Sequence, residues 1–133
     1  MAERAGFCFG VKRAVDAILE ALTVGETDRA VWTIGMPIHN PQEVARLRSM
    51  GLRVAKDASE VPPGVRVLIR AHGESRAVLN DLREKGVCVI DTTCPFVRRA
   101  QDLANSLSDE GYHIVLLGDR NHPEIRSIMG YVD

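Results

Sequence analysis

Short β-branched runs alternate with helical segments along most of these 133 residues, and that alternation restricts the fold more than any other feature. Val31-Trp32-Thr33-Ile34, a shorter stretch over 52–55, and the runs 65–69, 87–90 and 113–117 read as strands. Over 11–22, Val11, Ala14, Val15, Ile18, Leu19 and Leu22 recur at helical spacing, with Gly25 placed to end that helix. Asn40 and Pro41 supply the cap and first position of a helix running to about Met50, which Gly51 closes. Ser75 caps a helix to Lys85 that Gly86 stops, another helix spans 96–108, and His122-Pro123-Glu124 opens a last one. Strands separated by helices are joined by crossovers, which makes neighbours parallel. The expected architecture is α/β, a short and mainly parallel sheet with flanking helices.

The chain is long enough for one compact core. Its 45% hydrophobic and 26% charged residues are ordinary for a globular domain. Lys plus Arg number 17 against 18 Asp plus Glu, a formal charge of −1, which gives no electrostatic case for nucleic-acid or membrane binding. A local basic patch is still available, because Lys12, Arg13, Arg98 and Arg99 closely follow two cysteines. No apolar run approaches a membrane span, and Met1-Ala2-Glu3-Arg4 lacks the apolar stretch of a secretory signal, so the expected compartment is the cytoplasm. Three cysteines, an odd number, point away from a disulfide framework and toward packing, metal ligation or nucleophilic roles.

Cys8, His39, His72, Cys94 and His122 each fall where a strand, or its expected position, hands over to a helix. In a parallel α/β sheet those junctions share one edge, where ligands bind. Helix N-termini there present free N–H groups and positive dipole ends suited to phosphate, and the same setting favours a metal-binding thiolate. Each residue also has a plainer reading. Cys8 and Cys94 are acceptable helix starts, and His39 and His122 are acceptable loop residues. Five such residues at equivalent positions are harder to assign to packing. Gly6 and Gly10, flanking Cys8, admit a bulky neighbour. Cys88 reads as a buried packing residue inside an apolar strand, and His113 as a surface or edge residue.

Glu124 lies in a first helical turn, where the dipole favours a carboxylate without any function, or where it serves as a proton donor. Thr92 and Thr93 read as caps with a secondary role toward a ligand. Widely spaced cysteines with histidines are compatible with zinc or with an iron–sulfur cluster, and residue counting does not separate the two. On the residues alone, a phosphate-binding α/β module without redox activity and a small Cys/His zinc protein stand as alternatives.

The segments Ala5-Gly6-Phe7-Cys8-Phe9-Gly10-Val11-Lys12-Arg13-Ala14-Val15, Ile38-His39-Asn40-Pro41, Ala71-His72-Gly73, Asp91-Thr92-Thr93-Cys94-Pro95-Phe96-Val97 and His122-Pro123-Glu124 resemble, in order and approximate spacing, the 4-hydroxy-3-methylbut-2-enyl diphosphate reductase family. The resemblance runs along essentially the whole chain. It implies reductive dehydroxylation of the allylic diphosphate to isopentenyl and dimethylallyl diphosphates, the end of the methylerythritol phosphate route to isoprenoids. It further implies a [4Fe-4S] cluster with Cys8 and Cys94 as ligands, diphosphate binding by His39, His72 and His122, and Glu124 as the proton donor. Thr93, beside Cys94, would tune the cluster by hydrogen bonding. Electrons would come from a ferredoxin- or flavodoxin-type donor. The family's third cysteine ligand lies further downstream than this sequence reaches, and Cys88 does not match its motif. The chain is therefore expected to be an N-terminal portion of a larger multi-domain α/β enzyme. It divides into an α/β domain over 1–110 and the start of a next unit over 111–133.

Overall fold

The computed structural model describes residues 6–24 and 30–132. Among these described residues, five α-helices and four strands follow in the order α1 (Phe9–Thr23), β1 (Val31–Ile34), α2 (Pro41–Ser49), β2 (Arg53–Ala55), β3 (Arg66–Ile69), α3 (Arg76–Glu84), β4 (Cys88–Asp91), α4 (Pro95–Asp109) and α5 (Pro123–Met129). A 3-10 turn, Ala58–Glu60, lies between β2 and β3. The strands form one sheet in the order β2-β1-β3-β4, and every pairing is parallel.

Side-chain alternation along these strands divides the core between two faces. On one, Ile18 and Ala21 of α1 and Leu47 of α2 meet Val31 and Leu68. On the other, Leu82 of α3 and Ala58 meet Ile34, Val67 and Ile69, with Val78 and Leu79 packed alongside. Each fully buried Leu or Ile contributes roughly 1.5–3 kcal/mol relative to exposure. The helix starts follow the expected chemistry. Asn40 accepts from the Glu43 N–H at 3.1 Å, and Ser75 accepts from the Val78 N–H at 3.4 Å.

Two expectations require correction. Residues 113–117 join no ladder among the described residues, and Val115 and Leu117 are exposed. A short run of apolar residues gives a segment strand propensity, but a strand exists only through pairing, and among the described residues no strand lies beside these. Cys88 is also exposed rather than buried. It opens β4, the last strand in the sheet order, which among the described residues has a neighbouring strand on one side alone. Gly25, expected to end the first helix, lies outside the described residues.

Candidate functional site

The order β2-β1-β3-β4 places the reversal of chain direction between β1 and β3, because β1 leads outward to β2 and the chain then returns to the far side of β1. In open parallel sheets the crevice beyond the strand C-termini at such a reversal is where ligands bind. His39 follows β1 and immediately precedes the α2 cap Asn40, while His72 lies in the turn after β3. His122 is the N-cap of α5. Three separate junctions therefore bring three imidazoles together. Ring centroids are 5.0 Å apart for His39 and His72, 5.5 Å for His72 and His122, and 6.1 Å for His39 and His122.

These rings differ in their surroundings. His39 is exposed, whereas His72 and His122 are half-buried. Burial, then the neighbouring charges of His39, Arg70 and His122, push His72 down to about 4, so its ring is neutral at physiological pH. Its Nδ1 is buried without a hydrogen-bond partner. His122 accepts the backbone N–H of Glu124 through Nδ1 at 3.3 Å. In the neutral ring the proton then resides on Nε2, which leaves a donor for a ligand. Glu124 itself is half-buried in the first turn of α5.

The cysteines occupy equivalent places. Cys8 is the N-cap of α1 and Cys94 the N-cap of α4, and neither side chain makes a capping hydrogen bond. Neither thiol is therefore occupied by its own helix. The two helix starts are adjacent: a Cβ on Gly10 would lie 3.1 Å from Cys94 Sγ, so glycine is what permits this approach. Arg13 of α1 donates to the Thr93 carbonyl at 3.3 Å across the same seam. The Cys94 N–H donates to the Ala71 carbonyl at 2.9 Å, which ties the thiol's backbone to the residue preceding His72. Cys88 sits at the opposite end of β4.

The loop leading to Cys94 is held by polar contacts. Asp91 accepts from the Thr93 N–H at 2.9 Å and from its hydroxyl at 2.5 Å. Asp91 also pairs with Arg98, and Thr92 donates to the Ile69 carbonyl. Thr92 and Thr93 are both buried, so their roles are structural as well as local capping.

Chemically, the donors fall into two sets. Two thiols are suited to a thiophilic metal or cluster, and three imidazoles are suited to an anion or a cation. The sequence reading overlooked two residues here, Gln101 of α4 and Ser127 of α5, which are joined by a buried hydrogen bond. Gln101 carried a legible signal, since it interrupts the inward stripe Val97, Gln101, Ala104 of an otherwise amphipathic helix.

Comparison with known proteins decides the family. The model of the LytB protein family matches residues 1–133. This chain belongs to the LytB protein family. Among LytB relatives, the 4-hydroxy-3-methylbut-2-enyl diphosphate reductase of Geobacter sulfurreducens is 44% identical over 133 residues, covering 100% of this chain and 46% of the relative. That of Pelobacter propionicus is 42% identical, covering 98% of this chain and 45% of the relative. A solved structure of (E)-4-hydroxy-3-methyl-but-2-enyl diphosphate reductase, the terminal enzyme of the non-mevalonate pathway, superposes with a TM-score of 0.84 at 45% identity, covering 98% of this chain and 45% of that one. The Plasmodium falciparum reductase superposes with a TM-score of 0.90 at 28% identity, covering 97% and 40%. The chain thus spans less than half the length of these LytB relatives and corresponds to an N-terminal portion of them.

Proposed function

We propose that this chain forms the N-terminal part of a 4-hydroxy-3-methylbut-2-enyl diphosphate reductase, which removes the substrate's hydroxyl to yield isopentenyl and dimethylallyl diphosphates. The observation that carries the reading is the convergence of three histidines beside two uncapped N-cap cysteines at one sheet edge. Relatives named for this activity support it.

In this reading His39, His72 and His122 grip the diphosphate. His122 donates from Nε2, its Nδ1 being engaged by the Glu124 N–H. Half-buried His72, its Nδ1 buried without a partner and its proton disfavoured by burial and neighbouring charges, gains when an anion arrives to favour that proton. Dehydroxylation breaks the C–O bond, forms a C–H bond and releases water, consuming two electrons and two protons. Glu124, beside the diphosphate-binding His122, delivers the proton that converts the departing hydroxyl to water. Cys8 and Cys94 hold a [4Fe-4S] cluster together with a ligand from outside these residues. Two uncapped thiols at neighbouring helix starts, with Gly10 of one helix packed on Cys94 of the other, suit that donor set. When bound, the cluster supplies electrons and Lewis acidity. A ferredoxin- or flavodoxin-type donor delivers the electrons, and a cytoplasmic setting keeps the thiols reduced. The boundary near residue 110 separates the unit carrying Cys8 to Cys94 from the start of a second unit.

A second reading, a three-histidine cation site, is favoured by one fact: a ligand atom from each histidine lies within 4.8 Å of the others. Commitment of His122 Nδ1 to the Glu124 N–H counts against it, because the nitrogen left over carries the proton.

Grafting residues 1–133 in place of the matching portion of the Geobacter sulfurreducens relative, followed by anaerobic reconstitution with iron and sulfide, tests the proposal. The chimera is expected to show the visible absorption of a thiolate-ligated cluster and to turn over the allylic diphosphate. A folded chimera that incorporates iron but has no turnover would remove this chain from the reductases. Stoichiometric zinc bound to the histidines without iron would favour the cation site.

A further inference from the structure

Gln101 sits mid-helix in α4, 0% exposed, on the face that otherwise turns Val97 and Ala104 inward. A leucine would fill such a place with no polar group to satisfy. Here the amide Nε2 instead donates to Ser127 Oγ at 3.2 Å. Ser127 is itself 2% exposed, and its Oγ lies 2.7 Å from the His72 carbonyl and 3.0 Å from the Glu124 carbonyl. A hydroxyl carries a single proton. The shorter contact directs it to His72, and Gln101 supplies the donor that the same oxygen then accepts. The hydrogen bonds run one way, from Gln101 through Ser127 to His72.

The turn after β3 rests on the same amide. Gly73 has φ +72, and a Cβ there would lie 2.6 Å from Gln101 Nε2 and 3.4 Å from Ser127 Oγ. Thus α4, α5 and the turn meet at one buried polar point. The turn carries His72, and α5 begins with His122 and Glu124.

We propose that Gln101 is a positioning residue that, through Ser127, sets the separation of His72 from His122 and Glu124. Without the amide, nothing holds the single Ser127 proton on the His72 carbonyl rather than on the Glu124 carbonyl of its own helix, so the bond joining the turn to α5 is weakened, and small misplacements of converging donors are costly to ligand binding. The functional consequence rests on the diphosphate reading above, whereas the positional claim rests on the hydrogen bonds alone.

The 133-residue chain, labelled with 15N-histidine, provides the test, with inorganic pyrophosphate as the probe. Gln101→Met keeps the side chain unbranched and similar in length but removes the donor, and Ser127→Ala removes the relay. Each variant is expected to retain a cooperative unfolding transition, to shift the imidazole resonances of both His72 and His122, and to weaken pyrophosphate binding about tenfold, the loss of one well-placed hydrogen bond. The double variant should be no worse than either single one, because both break the same chain of bonds. Folded variants with unshifted imidazole resonances would overturn the proposal, as would effects that add. Should Gln101→Met fail to fold, the resonances of Ser127→Ala decide alone. If the unsubstituted chain binds no pyrophosphate, the diphosphate reading falls while the imidazole shifts still judge the positional claim.

Discussion

His122 caps α5 with its own ring, accepting the Glu124 N–H at Nδ1, so one side chain both starts the helix and fixes which nitrogen is left for a ligand. Capping and ligand donation are separable by substitution. His122→Asn retains a capping oxygen and should leave stability within a few tenths of a kcal/mol, whereas His122→Ala loses about 1 kcal/mol. Both should lose pyrophosphate affinity. Urea unfolding paired with pyrophosphate titration reads the two effects, and an Asn variant that binds normally would show that the ring is only a cap.

Gly10 is the contact point between the two cysteine-bearing helix starts, since a Cβ would sit 3.1 Å from Cys94 Sγ and 3.3 Å from its Cβ. Gly10→Val should therefore push α1 from α4. The expected cost is about 1–3 kcal/mol from overpacking, accompanied by a severalfold loss of iron retained after anaerobic reconstitution of the chimera. Unchanged iron content would mean that the thiols do not act as a pair.

His72 gives acid sensitivity a definite window. Its folded value near 4 lies below the ordinary 6.5, so the unfolded chain takes up the proton first as pH falls. Stability from the neutral ring is complete above about 6.5 and is lost progressively toward 4, with no further loss below. Glu74 slopes the other way, because burial raises its carboxyl despite the 3.0 Å pair with Arg70. Glu43, held low by its hydrogen bond to Arg46, and Asp57, held low by its bonds to Ser59, contribute stability that is lost only as pH falls from the ordinary carboxylate range toward their lowered values. The difference between wild type and His72→Gln isolates the imidazole. Denaturant unfolding at pH 7 and pH 5 should show a smaller acid loss in the variant, and equal losses would exclude His72 as the source.

Local chemistry made much of this architecture readable. Asn40-Pro41 and Ser75 announce helix starts by supplying an acceptor for N–H groups that the helix itself leaves unmet, and these caps are in place. The residues of β1 and β3 were equally clear, because their β-branched runs are buried on both faces. What failed to show was anything that depends on a neighbour. Residues 113–117 have a strand's pattern and no strand to pair with, and Cys88 looked interior although β4 is an edge. At the site, the histidines were visible as junction residues, but their 5.0–6.1 Å convergence required the strand order. The Gln101–Ser127 bond joins residues 26 apart, and no local rule links them.

Gly73 offers a comparison that separates backbone strain from crowding. Gly64, Gly73 and Gly86 have φ of +73, +72 and +66, so alanine at any of them incurs the left-handed penalty of about 1–2 kcal/mol. At Gly64 and Gly86 nothing lies within 4 Å of the added Cβ, and the penalty should stop there. At Gly73 the Cβ meets Gln101 Nε2 at 2.6 Å and Thr93 Cγ2 at 3.1 Å, both in the buried interior, where overpacking adds about 1–3 kcal/mol. Gly73→Ala should accordingly be the most destabilising of the three in urea unfolding. Shortening the obstructing side chain offers a control. In a Gln101→Ala background the extra cost of Gly73→Ala should shrink toward that of Gly64→Ala, a coupling expected only of residues in contact. If the three alanine variants cost the same, the turn carrying His72 is not seated on Gln101, and the buried amide holds α4 and α5 together without reaching the histidines.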